Sequence, residues 1–171
     1  MTDPKSIKQL IDDLVPPAEV DSATDPLAVR RKAMDYLARR EYAAGELSTK
    51  LVRAGFDPGL AAATVAELSA EGLQSDERFL EAFLHARVRQ GKGPLRIRAE
   101  LSERGIAAGA VEAALAGCDE DFSALACAVR ARKFGDRPPV EFMEKARQAR
   151  FLHYRGFETE QVRAALGEER D

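Results

Sequence analysis

The stretch Lys50–Val65, KLVRAGFDPGLAAATV, decides the fold because it occurs three times. It returns as Glu100–Leu115, ELSERGIAAGAVEAAL, and again as Phe151–Leu166, FLHYRGFETEQVRAAL. Each copy places a leucine four residues before a glycine, a large apolar residue directly after it, and aliphatic residues six and ten positions later. The leucines are Leu51, Leu101 and Leu152, and the glycines are Gly55, Gly105 and Gly156, separated by 50 and then 51 residues. Self-similarity at a fixed period marks a repeated supersecondary unit. The local physics names the unit's corner: a leucine in a helix's last turn, a glycine supplying the left-handed backbone of the cap, and an apolar residue folding back onto that turn. A second helix then starts, with Asp57 before Pro58, and Thr159 at the equivalent corner, as N-cap candidates.

Working outward, each copy is preceded by more helical pattern. AMDYLARREYAAGELSTKL stands before the first, SDERFLEAFLHARVRQ and PLRIRAEL before the second, and SALACAVRARKF and VEFMEKARQARFL before the third. The expected architecture is all-α: three tandem three-helix repeats over residues 26–70, 74–118 and 121–167, forming an elongated, curved array. A trio of ~45 residues buries too little surface to be stable alone, so neighbouring repeats should support one another.

Composition agrees. Of 171 residues, 45% are hydrophobic and 32% charged, while aromatics are 6% and tryptophan is absent, which favours helices packed through Leu, Ala and Val. No apolar run approaches the roughly 20 residues of a membrane span, and MTDPKSIKQLIDD has no signal-peptide core, so a cytoplasmic protein without membrane contact is expected. Cys118 and Cys127 fit neither a zinc nor a redox spacing and read as small buried thiols. The net charge of −3 is polarised: residues 1–29 hold six acids against two lysines, a net of −4, which leaves +1 for the rest. Residues 1–25 read as an acidic, disordered tail, with room for a short helix over SIKQLIDDLV.

Gly91–Leu101, GKGPLRIRAEL, invites a phosphate-loop reading and fails it, because neither Gly-x4-Gly-Lys-Ser/Thr nor a third dinucleotide glycine is present. The simpler reading is a hinge: Gly91 ends one helix, Gly93 caps the next and Pro94 occupies its first position. Helical directions sort the basic residues around it. Arg87 falls inside the buried stripe and reads as a structural cation with an internal carboxylate, Asp76 being the candidate partner. Arg96 stands beside Glu100 at i,i+4, and Arg98 borders the apolar stripe with its head in water. Arg89, Lys92, Arg96 and Arg98 form a candidate partner-binding surface. Arg147, Arg150 and Tyr154, at i, i+3 and i+7, form a second one.

LQSDERFLEAFLHARVRQGKGPLRIRAELSERGI and RKFGDRPPVEFMEKARQARFLHYRGFETEQVRAAL together resemble the RecX family of bacterial regulators of the RecA recombinase. The likeness runs from about Ala33 to Leu166. It departs at Ser75-Asp76, where the family usually has two acids, leaving a serine N-cap, and in the acidic N-terminal extension. The resemblance implies a monomeric, non-enzymatic protein without cofactor, metal or catalytic residues. Such a protein would lie in the groove of the RecA filament on single-stranded DNA and limit its growth, and with it strand exchange, ATP turnover and coprotease activity. Contact with single-stranded DNA stays open. A stand-alone helical DNA-binding module is the alternative, disfavoured by the net charge of −3. An enzyme is disfavoured too, since His85 and His153 have no evident nucleophile beside them.

Overall fold

The structure, a computed structural model, describes residues 23–168. Of the tail expected over residues 1–25, residues 1–22, including SIKQLIDDLV, lie outside the described residues, and Asp25 belongs to the fold as the N-cap of the first helix. Nine helices and no strand occur among the described residues. They are α1 (Pro26–Leu37), α2 (Ala44–Arg53), α3 (Pro58–Ala70), α4 (Asp76–Arg89), α5 (Pro94–Ser102), α6 (Ala108–Ala116), α7 (Phe122–Phe134), α8 (Phe142–Arg155) and α9 (Thr159–Leu166).

The repeated corner is built alike three times. Phe56, Ile106 and Phe157 donate their backbone N–H to the carbonyls of Leu51, Leu101 and Leu152 at 3.2, 3.2 and 3.1 Å. Gly55, Gly105 and Gly156 donate to Val52, Ser102 and His153. These are the paired bonds of a Schellman motif, and they require the left-handed glycine backbone found at φ 97°, 77° and 89°. The leucines are buried completely or nearly so, which turns a local stop signal into core packing.

Helix starts follow local chemistry as well. Asp25, Asp57, Ser75 and Asp121 accept backbone N–H bonds as N-caps, and Pro26, Pro58 and Pro94 occupy first helical positions. Thr159 does not cap α9: it is the helix's first residue, and Glu158 is the cap. Glu158 and Gln161 form a reciprocal capping box that satisfies two free amides where Thr159 would satisfy one.

Each trio owns a core. Leu47, Leu51, Val65 and Leu68 lie in the first, Phe79, Phe83, Ile97 and Leu101 in the second, and Leu152, Phe157, Val162 and Leu166 in the third. Cys118 and Cys127 are half-buried at the edges of these cores rather than enclosed.

The first trio is joined to the second by polar groups that local sequence would leave unmatched. Ala43, at the N-cap of α2, has no side-chain oxygen, so Asp76 of the next trio accepts from Ala44 N–H at 2.8 Å. Gln74, only 3% exposed, donates to both Asp76 and the Tyr42 carbonyl and accepts from Ser69. Asp76 is therefore a cap lent across the interface. Arg78 adds an ion pair to Glu41 at 2.8 Å.

Candidate protein-binding surface

The joint between the second and third trios is where GKGPLRIRAEL meets the end of α8. Gly93 N–H donates to the Arg155 carbonyl at 2.9 Å, and Leu95 N–H to the Gly156 carbonyl at 3.0 Å. A Cβ on Gly93 would overlap the Gly156 carbonyl, and one on Gly156 would overlap the Arg96 Cβ. Gly91, at φ 68°, lies so close to α7 that a Cβ would stand 2.6 Å from Val129 Cγ2. The glycines do end one helix and open the next. Backbone hydrogen bonds and close approach also clamp this junction to the third trio.

Arg98 is part of the clamp. Its guanidinium forks onto Glu112 at 2.7 and 3.1 Å and reaches Glu158 of the third trio at 2.7 Å. Its expected free head is thus committed to two carboxylates. The hydrogen bonds it donates, first to Glu112 and then to Glu158, raise its already high pKa. Arg155 closes the other side by donating to the Gln90 carbonyl at 2.9 Å.

Arg87 is the structural cation expected of a residue in the buried stripe, but its partner is Glu100 at 2.6 Å, not Asp76. Asp76 is engaged with Ala44 and Gln74, whereas Glu100 of α5 stands directly beside Arg87, whose guanidinium rests 4.2 Å from the Phe83 ring centroid. Glu100 also receives Arg96 at 2.9 Å, the i,i+4 pair anticipated above.

The remaining cations can be sorted by what holds them. Arg147 pairs with Glu144 at 2.8 Å and lies over Phe134. Arg150 makes only a long bond, 3.4 Å, to the Ala146 carbonyl of its own helix. Exposed Arg89 and half-buried Lys92 have no ion-pair partner among the described residues. Tyr154 is 78% exposed, two residues before the glycine that abuts Arg96. Arg96 is held above its ordinary pKa chiefly by its hydrogen bond to Glu100. Arg89, Lys92, Arg96, Arg150 and Tyr154 leave hydrogen-bonding or stacking capacity facing solvent. Among the described residues no cluster of His, Cys, Asp and Glu is fit to hold a metal ion, and no helix is long and apolar enough to cross a membrane.

The acids in these pairs predict a pH response. The Arg98 hydrogen bond holds Glu112 below the usual carboxylate range. Burial alone would raise Glu100, but bonds from Arg87 and Arg96 outweigh it and lower the pKa. Folding then releases protons that the unfolded chain would bind, so stability from these pairs is complete above roughly pH 5 and is lost as pH falls below about 4. Urea midpoints at pH 7, 4 and 3 should fall in that order, and Glu112→Gln should flatten the decline. A midpoint unchanged between pH 7 and 3 would contradict the pairing.

Comparison with known proteins decides the family. Three family models cover the trios in order: the first, second and third three-helix domains of RecX match residues 30–68, 75–115 and 119–166. The chain belongs to the RecX family. Its similarity to regulatory protein RecX of Halorhodospira halophila is 46% identity over 138 residues, covering 81% of this chain and 86% of that one. With regulatory protein RecX of Pseudomonas syringae pv. tomato it is 44% over 146 residues, covering 85% and 92%. The fold is shared with the crystal structure of RecX from Lactobacillus salivarius, at a TM-score of 0.69 and 17% identity over 84% of this chain and 95% of that one. Another RecX crystal structure aligns at a TM-score of 0.71 and 19% identity, covering 99% and 81%. RecX membership gives the chain a regulatory role.

Residue-by-residue reading of the sequence missed the clamp. Gly91, Gly93 and Pro94 announced a helix junction, but nothing in their order says that it is pressed against Gly156, more than sixty residues away.

Proposed function

We propose that this chain binds the RecA recombinase filament on single-stranded DNA and limits its growth, lowering strand exchange, ATP hydrolysis and coprotease activity without chemistry of its own. It acts in the cytoplasm as a monomer and needs no cofactor. The supporting observation is the clamped joint between the second and third trios, whose helices α4, α5 and α8 also carry exposed Arg89, Arg96, Arg150 and Tyr154: cations and an aromatic suited to acidic protein partners. A tandem array can engage successive protomers of a filament, gaining avidity from contacts that are weak singly.

Arg98 is a poor probe of this surface, because its reversal would open the clamp. Arg89 and Lys92 are better probes. The paired Arg89→Glu and Lys92→Glu variant should inhibit RecA ATP turnover on single-stranded DNA roughly thirtyfold less effectively, if each lost contact is worth ~1 kcal/mol, with far-ultraviolet dichroism unchanged. Exposed Arg53→Glu in the first trio should do less. A folded double variant that inhibits at wild-type concentrations would remove this surface from the mechanism. A wild-type protein without effect on turnover would remove the mechanism itself.

A further inference from the structure

A groove of about 750 Å³ runs along the second trio between α4 and α6, and nothing in the joint surface uses it. Its floor on α4 is formed by Leu80 and Leu84, core residues that are each 6% exposed, and by half-buried Val88, one helical turn apart. Its other wall presents Ala110, Ala113 and Ala114 of α6 and Gly117 at that helix's C-cap, residues so small that another helix could approach the backbone closely. The trio fold does not demand such a gap. In the third trio, Val162, Ala165 and Leu166 of α9 bury directly against Ala126 and Val129 of α7.

The rim carries the decisive charge. Glu77, Glu81, Asp119 and Glu120 line the groove, and none of their side chains has a hydrogen bond or ion pair among the described residues. Some acids elsewhere are paired, as Glu71 is by Arg30, Glu46 by Arg40 and Glu112 by Arg98, and others such as Asp35 and Glu103 are not, but among the described residues only in this groove do four unpaired acids border one apolar floor. No lysine or arginine lines the groove, and His85 is its only base.

We infer that this groove docks a cationic amphipathic helix of a partner protein. The occupant's apolar stripe fills the space over Leu80, Leu84 and Val88, and its flanking lysines or arginines meet the four carboxylates. The wall from Glu77 to Val88 is about 16 Å long at 1.5 Å per residue, so it matches three helical turns. Like charge excludes an acidic occupant, including the chain's own N-terminal 22 residues, which hold five acids against two lysines. The inference stands apart from the filament reading, and its test contains no recombinase.

The probe is a fluorescent 14-residue peptide with leucines at i, i+4, i+7 and i+11 and lysines on the other face, titrated against the full-length chain by anisotropy. Saturable binding that weakens with added salt is expected. Glu81→Lys with Asp119→Lys should weaken it at least tenfold, and Ala113→Phe should block it by filling the groove. All three positions are exposed, so each variant should keep the wild-type dichroism. A peptide with glutamates for lysines should not bind. Equal affinity for wild type and variants would reveal general attraction to an acidic chain and overturn the inference, as would no binding at millimolar peptide. A wild-type dimer that Ala113→Phe dissociates would also overturn it, assigning the groove to a second copy.

Discussion

Gly93→Ala and Gly156→Ala should each destabilise the protein by roughly 3 kcal/mol or more, whereas Gly55→Ala and Gly105→Ala should cost only about 1–2 kcal/mol. The three motif glycines share a left-handed backbone, so alanine is strained at each. They differ in what a methyl group would meet. Nothing lies within 4 Å of an added Cβ at Gly55 or Gly105, but at Gly156 it would overlap the Arg96 Cβ and stand 2.5 Å from the Arg96 backbone nitrogen. That nitrogen belongs to the first turn of α5 and cannot move without its helix. Gly93 isolates the packing effect, because its φ of −82° is open to alanine and only the collision with the Gly156 carbonyl remains. Urea denaturation measures the size. Hydrogen exchange at the Gly93 and Leu95 amides should quicken selectively, since both donate across the joint. Equal losses at all three motif glycines would show that the joint is not closed as described.

Arg130→Ala should cost ~2–4 kcal/mol and fall almost wholly on the third trio. Arg130 is 4% exposed and has no carboxylate partner. It donates instead to the Asp136 and Arg137 carbonyls at 2.9 and 3.1 Å and lies 3.4 Å from Gln148 Oε1, pinning the α7–α8 connection against the core. Removing it leaves a cavity and strips two carbonyls of their donors. Arg130→Met restores volume but no donor, so it should recover only part of the loss. Thermal melting should fall by roughly 5–10 °C for alanine, with protection lost first in α7 to α9. Wild-type melting of the alanine variant would mean that water serves those carbonyls equally well.

The cations show how far a helical wheel reaches. It correctly put Arg87 in the buried stripe and Arg96 beside Glu100, because both statements concern direction along one helix. It assigned Arg87 to Asp76 and left Arg98 in water, because a wheel gives an angle and not a neighbour. The true partners, Glu100 for Arg87 and Glu112 with Glu158 for Arg98, lie 13, 14 and 60 residues away. The RecX resemblance, carried by longer blocks, identified the family without any of these contacts.

What the sequence determined by itself was local: the helices, their stops at Leu-x-x-x-Gly-apolar corners, the caps at Asp57, Ser75 and Gly93, and the threefold repetition. Each depends on bonds closed within six residues, so short-range order suffices to write it. Tertiary structure alone decided which glycines became a joint, that Asp76 caps a helix of the preceding trio, which arginines are tied and which face solvent, and that the second trio keeps an open groove where the third is closed. Those outcomes depend on where separate helices come to rest against one another, and on the competition of several acids for each guanidinium once they are brought together. Spacing along the chain does not encode that proximity.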